Sequence, residues 1–159
     1  MKQLLLLRHA EAESAPAGSS DNDRALTERG RREALSAANA IAAAGLEIDE
    51  ALVSPAQRTR ETAGIVARTL NLAIPITHVA TLYLAAPDVI LQALQSCRAH
   101  SRTVLLIAHN PGLSELLHEL AGGTQAIVLR TAGLCHLTLP QQSWKESGTV
   151  SASACEILR

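Results

Sequence analysis

The chain has no phenylalanine, and Trp144 and Tyr83 are its only tryptophan and tyrosine. A core must therefore be aliphatic. With 47% apolar residues among 159, there is enough material for one domain, expected to span 1–159. An excess of either charge is missing too: 14 basic against 15 acidic residues leave a net charge of −1. A surface dedicated to nucleic acid or to an anionic membrane needs a basic excess, so neither partner is expected. Cysteine is limited to Cys97, Cys135 and Cys155. Three scattered thiols make no disulfide framework and suit a reducing compartment. Long apolar runs are absent as well. Leu4 to Leu7 is followed at once by Arg8, too short for a secretory leader or a membrane span. A cytoplasmic chain is the expectation.

Several motifs are lacking. No glycine-rich Walker loop and no dinucleotide fingerprint occurs. None of the cysteines opens a C-x₅-R loop, which excludes cysteine phosphatase chemistry. His118-Glu119 has no second histidine at Gly122, so it is not a zinc-protease helix. Cys97-x-x-His100 and Cys135-His136 come without a second pair at zinc spacing. No metal and no cofactor is expected.

What is present alternates between strand and helix. Gln3 to Leu7 is a short, continuously apolar run, the pattern of a strand buried on both faces. Ser14 to Asn22 is polar and small, a surface loop. Thr27 can cap a helix over Arg29 to Ala44, closed by Gly45, with Ala34, Ala38, Ile41 and Ala42 on one face. A second strand is expected at Glu50 to Val53, a second helix over Ala56 to Leu70, and a third strand at Ile76 to Val79. A helix follows over Asp88 to Gln95, then a strongly apolar strand over Thr103 to Ile107 and a helix over Leu113 to Leu120. Leu134 to Leu139 and Val150 to Ile157 alternate in polarity, and the turn Pro140 to Gly148 separates them. They read as an antiparallel pair at the sheet edge. The pattern predicts an α/β fold, a three-layer α/β/α sandwich on a mainly parallel central sheet with antiparallel edge strands.

In such sheets reactive groups gather beyond the carboxyl ends of the strands. The first strand ends in Arg8-His9, the second in Ser54-Pro55 with Arg58 one turn on, and the strand 103–107 in His109-Asn110-Pro111-Gly112. Each has a bland reading taken alone. Arg-His at a strand end is common, Arg58 with Arg60 and Glu61 suits a solvated helix face, and His109 suits a helix start. Together they place two histidines and two arginines at one cleft. An imidazole nitrogen can attack phosphorus and carry the phosphoryl group, while guanidinium groups match phosphate oxygens bidentately. Phosphoryl transfer is the chemistry this set suits.

Four ordered segments carry a further signal: Leu-Leu-Arg-His-Ala (6–10), Leu-Thr-Glu-Arg-Gly (26–30), Ser-Pro-x-x-Arg-Thr-x-x-Thr-Ala (54–63) and Ala-His-Asn-Pro-Gly-Leu (108–113). The set resembles the histidine phosphatase superfamily, whose fold is phosphoglycerate mutase-like, and within it the short SixA-type phosphohistidine phosphatases. The resemblance implies His9 as the phosphorylated nucleophile, with Arg8, Arg58 and His109 completing a phosphate pocket. It also implies a close approach of the backbone at Ala10 and Ala108 to the phosphate, Ala10 standing where many members have Gly. Arg24, at the end of loop 14–24, is a candidate substrate-binding residue on the rim.

The general acid is missing from both places where the superfamily puts one. Ala80 to Pro87 holds no carboxylate, and Asn110 follows the second histidine where one branch has Asp. Asn110 cannot deliver a proton as a carboxylic acid does. General acid help is worth about 10²- to 10⁴-fold for a poor leaving group. Its absence favours a phosphoramidate, whose imidazole leaves readily once protonated from solvent, or an activated ester, over sugar phosphates. Glu11, Glu13, Asp21 and Asp23 are the carboxylates within reach of the cleft. No insertion encloses a small substrate, so an open cleft is expected. The reading is a phosphatase acting on phosphohistidine of a partner protein, which the resemblance implies to be a histidine-containing phosphotransfer domain or a phosphocarrier protein. The alternatives are a phosphatase of small phosphate esters or acyl phosphates, and a non-catalytic phosphoprotein-binding module.

Overall fold

The computed structural model of the chain describes residues 1–123 and 126–159. Its strands are β1 (Lys2–Arg8), β2 (Glu50–Val53), β3 (Ile76–His78), β4 (Thr103–Ala108), β5 (Leu134–Leu139) and β6 (Ala154–Leu158). Its helices are α1 (Glu28–Ala43), α2 (Gln57–Thr69), α3 (Pro87–Gln95) and α4 (Gly112–Leu120). The strands form one sheet in the order β3-β2-β4-β1-β5-β6. β1, β2, β3 and β4 run parallel, and β5 and β6 are antiparallel on one side.

Side chains alternate along β1 between two cores. Leu4 and Leu6 pack with Ile90 and Leu94 of α3 and Leu113, Leu116 and Leu117 of α4. Leu5 and Leu7 pack on the other face with Ala38 and Ile41 of α1 and Ala63 and Val66 of α2. All four leucines are fully buried, so each contributes about 2 kcal/mol of hydrophobic burial. This is the expected three-layer sandwich. Thr27 caps α1 as expected, its hydroxyl oxygen accepting from the Gly30 amide at 2.9 Å.

Three local expectations change. Ala42 is exposed, and the buried face of α1 runs instead through Ala34, Ala37, Ala38 and Ile41. β6 begins at Ala154 rather than at Val150. The Ala152 amide donates to the carbonyl of Leu120 at 2.7 Å, so this stretch closes the end of α4 before joining the sheet. The turn 140–148 carries a 3₁₀ turn, Trp144–Glu146, that anchors rather than merely links. Trp144 is buried in the aliphatic core, and its indole donates to the Ser101 carbonyl at 2.8 Å.

Two glycines let helix starts press against the loops that follow the strands. A Cβ on Gly30 would collide with the carbonyl of Glu11, and one on Gly112 with that of Ala85. These contacts seat α1 and α4 at the carboxyl end of the sheet. Gly30→Ala and Gly112→Ala should each cost about 2 kcal/mol in urea unfolding, the scale of overpacking against backbone. Gly64→Ala in α2 meets only the end of the Arg68 side chain at 3.3 Å and should be neutral or stabilising. Equal midpoints for all three variants would contradict this assignment.

Candidate functional site

The parallel pairing of β1 with β4 ends at Arg8 opposite Ala108. One step further, the His9 amide donates to the Ala108 carbonyl at 3.2 Å. His9 and His109 are thereby neighbours, with ring centroids 5.3 Å apart. β2, on the other side of β4, delivers Ser54, and the first turn of α2 brings Arg58. The structure thus gathers Arg8, His9, Arg58 and His109 in one place. Ala10 and Ala108 stand behind them, fully buried.

Hydrogen bonds settle how the rings are held. His9 Nδ1 lies 2.8 Å from the Ala10 carbonyl, which only accepts, so Nδ1 carries the proton and Nε2 keeps a lone pair. His109 Nε2 lies 2.6 Å from Ser54 Oγ, and its Nδ1 faces Arg58 Nη2 at 3.4 Å. Arginine only donates, so Nδ1 is the unprotonated nitrogen and Nε2–H donates to Ser54. Burial pushes the His9 pKa down to about 4, and Arg58, Arg8 and Arg24 oppose a further positive charge there. His109 is held at about 3, again mainly by burial and then by Arg58. Both rings are neutral at neutral pH.

A polar frame fixes the backbone around them. The Ala10 amide donates to Thr62 Oγ1 at 3.1 Å, and that hydroxyl donates to the Arg58 carbonyl at 2.7 Å. Thr59 Oγ1 donates to the Ser54 carbonyl at 2.7 Å. The Leu129 carbonyl takes Arg8 Nη1 at 3.1 Å and Asn110 Nδ2 at 2.8 Å, tying the ends of β1 and β4 together. Thr59 bonds within the segment 54–63, whereas Ser54 and Thr62 also meet His109 and Ala10 from outside it. The Leu129 carbonyl leaves no trace in sequence.

The rim is formed by the loop before α1. Arg24 donates from Nε to the Glu13 carbonyl at 2.6 Å and from Nη1 to Asp21 Oδ1 at 3.1 Å. Asp21 also receives Arg58: Nη1 on its carbonyl at 2.8 Å and Nη2 on Oδ2 at 3.1 Å. The Tyr83 hydroxyl donates to the same Oδ2 at 2.6 Å. The stretch 80–87, empty of carboxylates, thus supplies a partner for one. The Tyr83 bond, followed by the two arginines, holds the Asp21 carboxyl down at about 2. Of the other acidic candidates, Glu11 is bonded to Thr27 and Arg29, and Asp23 accepts from the amide and hydroxyl of Ser20.

The cleft between these groups, lined by Arg8, His9, Asp21, Arg24, Arg58 and His109 among others, measures about 390 Å³. His9 is 9% exposed, Arg58 and His109 are 2% exposed, and Asp21 lies against the guanidinium of Arg58. A larger hollow of about 790 Å³ lies beside α2 and β3, lined by Arg60, Glu61, Arg68 and His78 among others. Chemistry rather than size marks the smaller one, since both histidines line it.

The family model of the histidine phosphatase superfamily (branch 1) matches residues 4–83, which include Arg8, His9 and Arg58. The chain belongs to the histidine phosphatase superfamily. Its likeness within the superfamily is to the SixA-type branch. A crystal structure from Agrobacterium tumefaciens named as phosphohistidine phosphatase SixA is 31% identical, with a TM-score of 0.78 over 86% of this chain and 90% of that one. A structure of the protein histidine phosphatase SixA complexed with tungstate is 28% identical, with a TM-score of 0.82 over 98% of this chain and 96% of that one. An uncharacterized protein of Mycobacterium tuberculosis is 35% identical over 124 residues, 77% of this chain and 75% of that protein. Among the described residues of this superfamily member, no helix is long and apolar enough to cross a membrane.

The buried neutral histidines make stability depend on pH. Unfolded, each titrates near 6.5; folded, His9 titrates at about 4 and His109 at about 3. As pH falls below 6.5 the unfolded chain takes up protons that the folded one does not, so stability drops. Between pH 7 and pH 5 the loss should be on the order of 1 kcal/mol per histidine in urea unfolding. A His9→Ala/His109→Ala double variant should show a flatter profile. The same slope in both proteins would refute the assignment.

Proposed function

We propose that this superfamily member hydrolyses phosphohistidine on a partner protein through a phosphoenzyme intermediate on His9. The observation that carries the proposal is the tautomer of His9. Its Nδ1–H is committed to the Ala10 carbonyl at 2.8 Å, which leaves a neutral Nε2 lone pair at the cleft. In the first step Nε2 attacks phosphorus, the P–N bond of the substrate breaks, and the leaving imidazole takes a proton from solvent. Water then attacks the phosphorus of phospho-His9, releasing orthophosphate and restoring the free imidazole. Arg8, Arg58 and Arg24 supply the positive field that the transferring group needs, and His109 can donate to a non-bridging oxygen once the dianion raises its pKa.

The leaving group follows from the carboxylates. Asp21, the acidic residue bonded to Arg58, is ionised far below neutral pH and has no proton to give. An alkoxide would leave without help here, whereas a histidine imidazole needs none from the protein. The likeness to SixA structures supports the same substrate class. A phosphotransfer domain or phosphocarrier protein in the cytoplasm is the partner that this chemistry fits.

Incubation with a ³²P-phosphohistidine protein followed by quenching should place label on His9, and His9→Ala should lose at least 10³-fold in turnover, the scale of removing a nucleophile. Sugar phosphates and p-nitrophenyl phosphate should turn over more slowly than the phosphohistidine protein. Full activity of His9→Ala would refute the mechanism. Faster turnover of a sugar phosphate would favour a metabolite phosphatase, and binding without turnover a recognition module.

A further inference from the structure

Arg58, a phosphate ligand in the proposed reaction, is 2% exposed, although a phosphoryl group must reach it. A guanidinium offers two bidentate edges to an oxyanion. Its end edge, Nη1 with Nη2, is spent on one residue: the Asp21 carbonyl at 2.8 Å and Asp21 Oδ2 at 3.1 Å. Its side edge ends at Nε, which is buried and has no hydrogen-bond partner. The end edge is not free for an incoming phosphoryl group while Asp21 stays in place. The carboxylate is itself held as a bound anion would be, by Tyr83 at 2.6 Å and Arg24 at 3.1 Å.

We propose that Asp21 is a resident competitor of the phosphoryl group for Arg58, and that this competition sets substrate specificity. The inference rests on reading the cleft as a phosphoryl site. An anion that brings only its phosphate must displace the carboxylate with that phosphate alone. A phosphohistidine carried on a protein has contacts outside the cleft that offset the displacement. The competition also works on the product. A cleft with Arg8, Arg24 and Arg58 and no internal anion would hold orthophosphate, whereas the returning carboxylate expels it. Burial does little to hold the rim: the 3₁₀ turn Asp21–Asp23 contains no buried residue, and the Asp21 side chain is 46% exposed. Asp21 thus acts as a specificity-determining residue and not as an acid.

Isothermal titration of the full chain with orthophosphate and with tungstate tests this without reference to any substrate. Asp21→Asn should bind both oxyanions about fivefold more tightly than the unaltered protein, the scale of losing one ion pair to a half-exposed carboxylate. Tyr83→Phe, which loosens the carboxylate without removing its charge, should tighten binding by less. KM for p-nitrophenyl phosphate should fall in Asp21→Asn more than KM for the phosphohistidine protein, narrowing the selectivity between them. Unchanged or weaker oxyanion binding in Asp21→Asn overturns the proposal and makes Asp21 a positioning residue for Arg58. If His9 still takes label from phosphohistidine in that case, only the competition falls. If neither protein binds an oxyanion and His9 takes no label, the phosphoryl site itself is wrong.

Discussion

The register of β1 against β4 is the constraint from which the cleft follows. Arg8 pairs with Ala108, and the His9 amide continues the ladder onto the Ala108 carbonyl, so two histidines leave adjacent strands at the same level. A slip of one residue would send alternate side chains to opposite faces and separate the rings. Polarity alone does not select this register, because both faces of β1 are apolar and both are covered. It is fixed at the ends. Gln3 donates to the Arg102 carbonyl before the pairing begins, and the Leu129 carbonyl clamps Arg8 and Asn110 where it stops. The glycines at 30 and 112 then bring α1 and α4 close enough to wall the cleft.

Burial at that point has two effects that would conflict without a ligand. It keeps both imidazoles neutral, and it sets them beside Arg58, which is buried, and the half-buried Arg8 and Arg24. Guanidinium groups keep their charge in such a place, whereas imidazoles give theirs up. The result is a positive cleft with an unprotonated nitrogen at its centre, the arrangement a phosphoryl acceptor requires. In the proposed reaction, entry of a dianion opposes the field of the arginines at His109 and raises its pKa from the resting value.

Most of the scaffold was legible in the sequence because it obeys local periods. The apolar run Gln3 to Leu7, the strand Glu50–Val53 and the Thr27 cap all rest on neighbours a few residues away. The gathering of Arg8, His9, Arg58 and His109 was legible too, since it needs only the rule that parallel strands deliver their ends together. What was not legible depends on partners far apart in the chain. Tyr83 meets Asp21 across 62 residues, and Arg8 reaches Leu129 across 121. The burial of Trp144 and the late start of β6 arise from the same cause: each answers a distant carbonyl, Ser101 and Leu120. Arg58 misled in a different way. A charged helix residue reads as solvated, and its burial depends on a loop that approaches from 37 residues away.

The short rim loop explains how so small a chain can dispense with a cap. A cap selects substrates by enclosing them. On the proposed reading, one carboxylate performs a coarser selection by occupying Arg58. That role requires the carboxylate to be ionised, and the Tyr83 hydroxyl at 2.6 Å with Arg24 at 3.1 Å ensures it. At rest the same two bonds favour the anion, so Asp21 has no proton to donate near neutral pH. A residue tuned to compete as an anion cannot also serve as an acid near neutral pH. On the proposed reading, the leaving group is then one that needs no acid from Asp21, and the imidazole of a phosphohistidine meets that requirement.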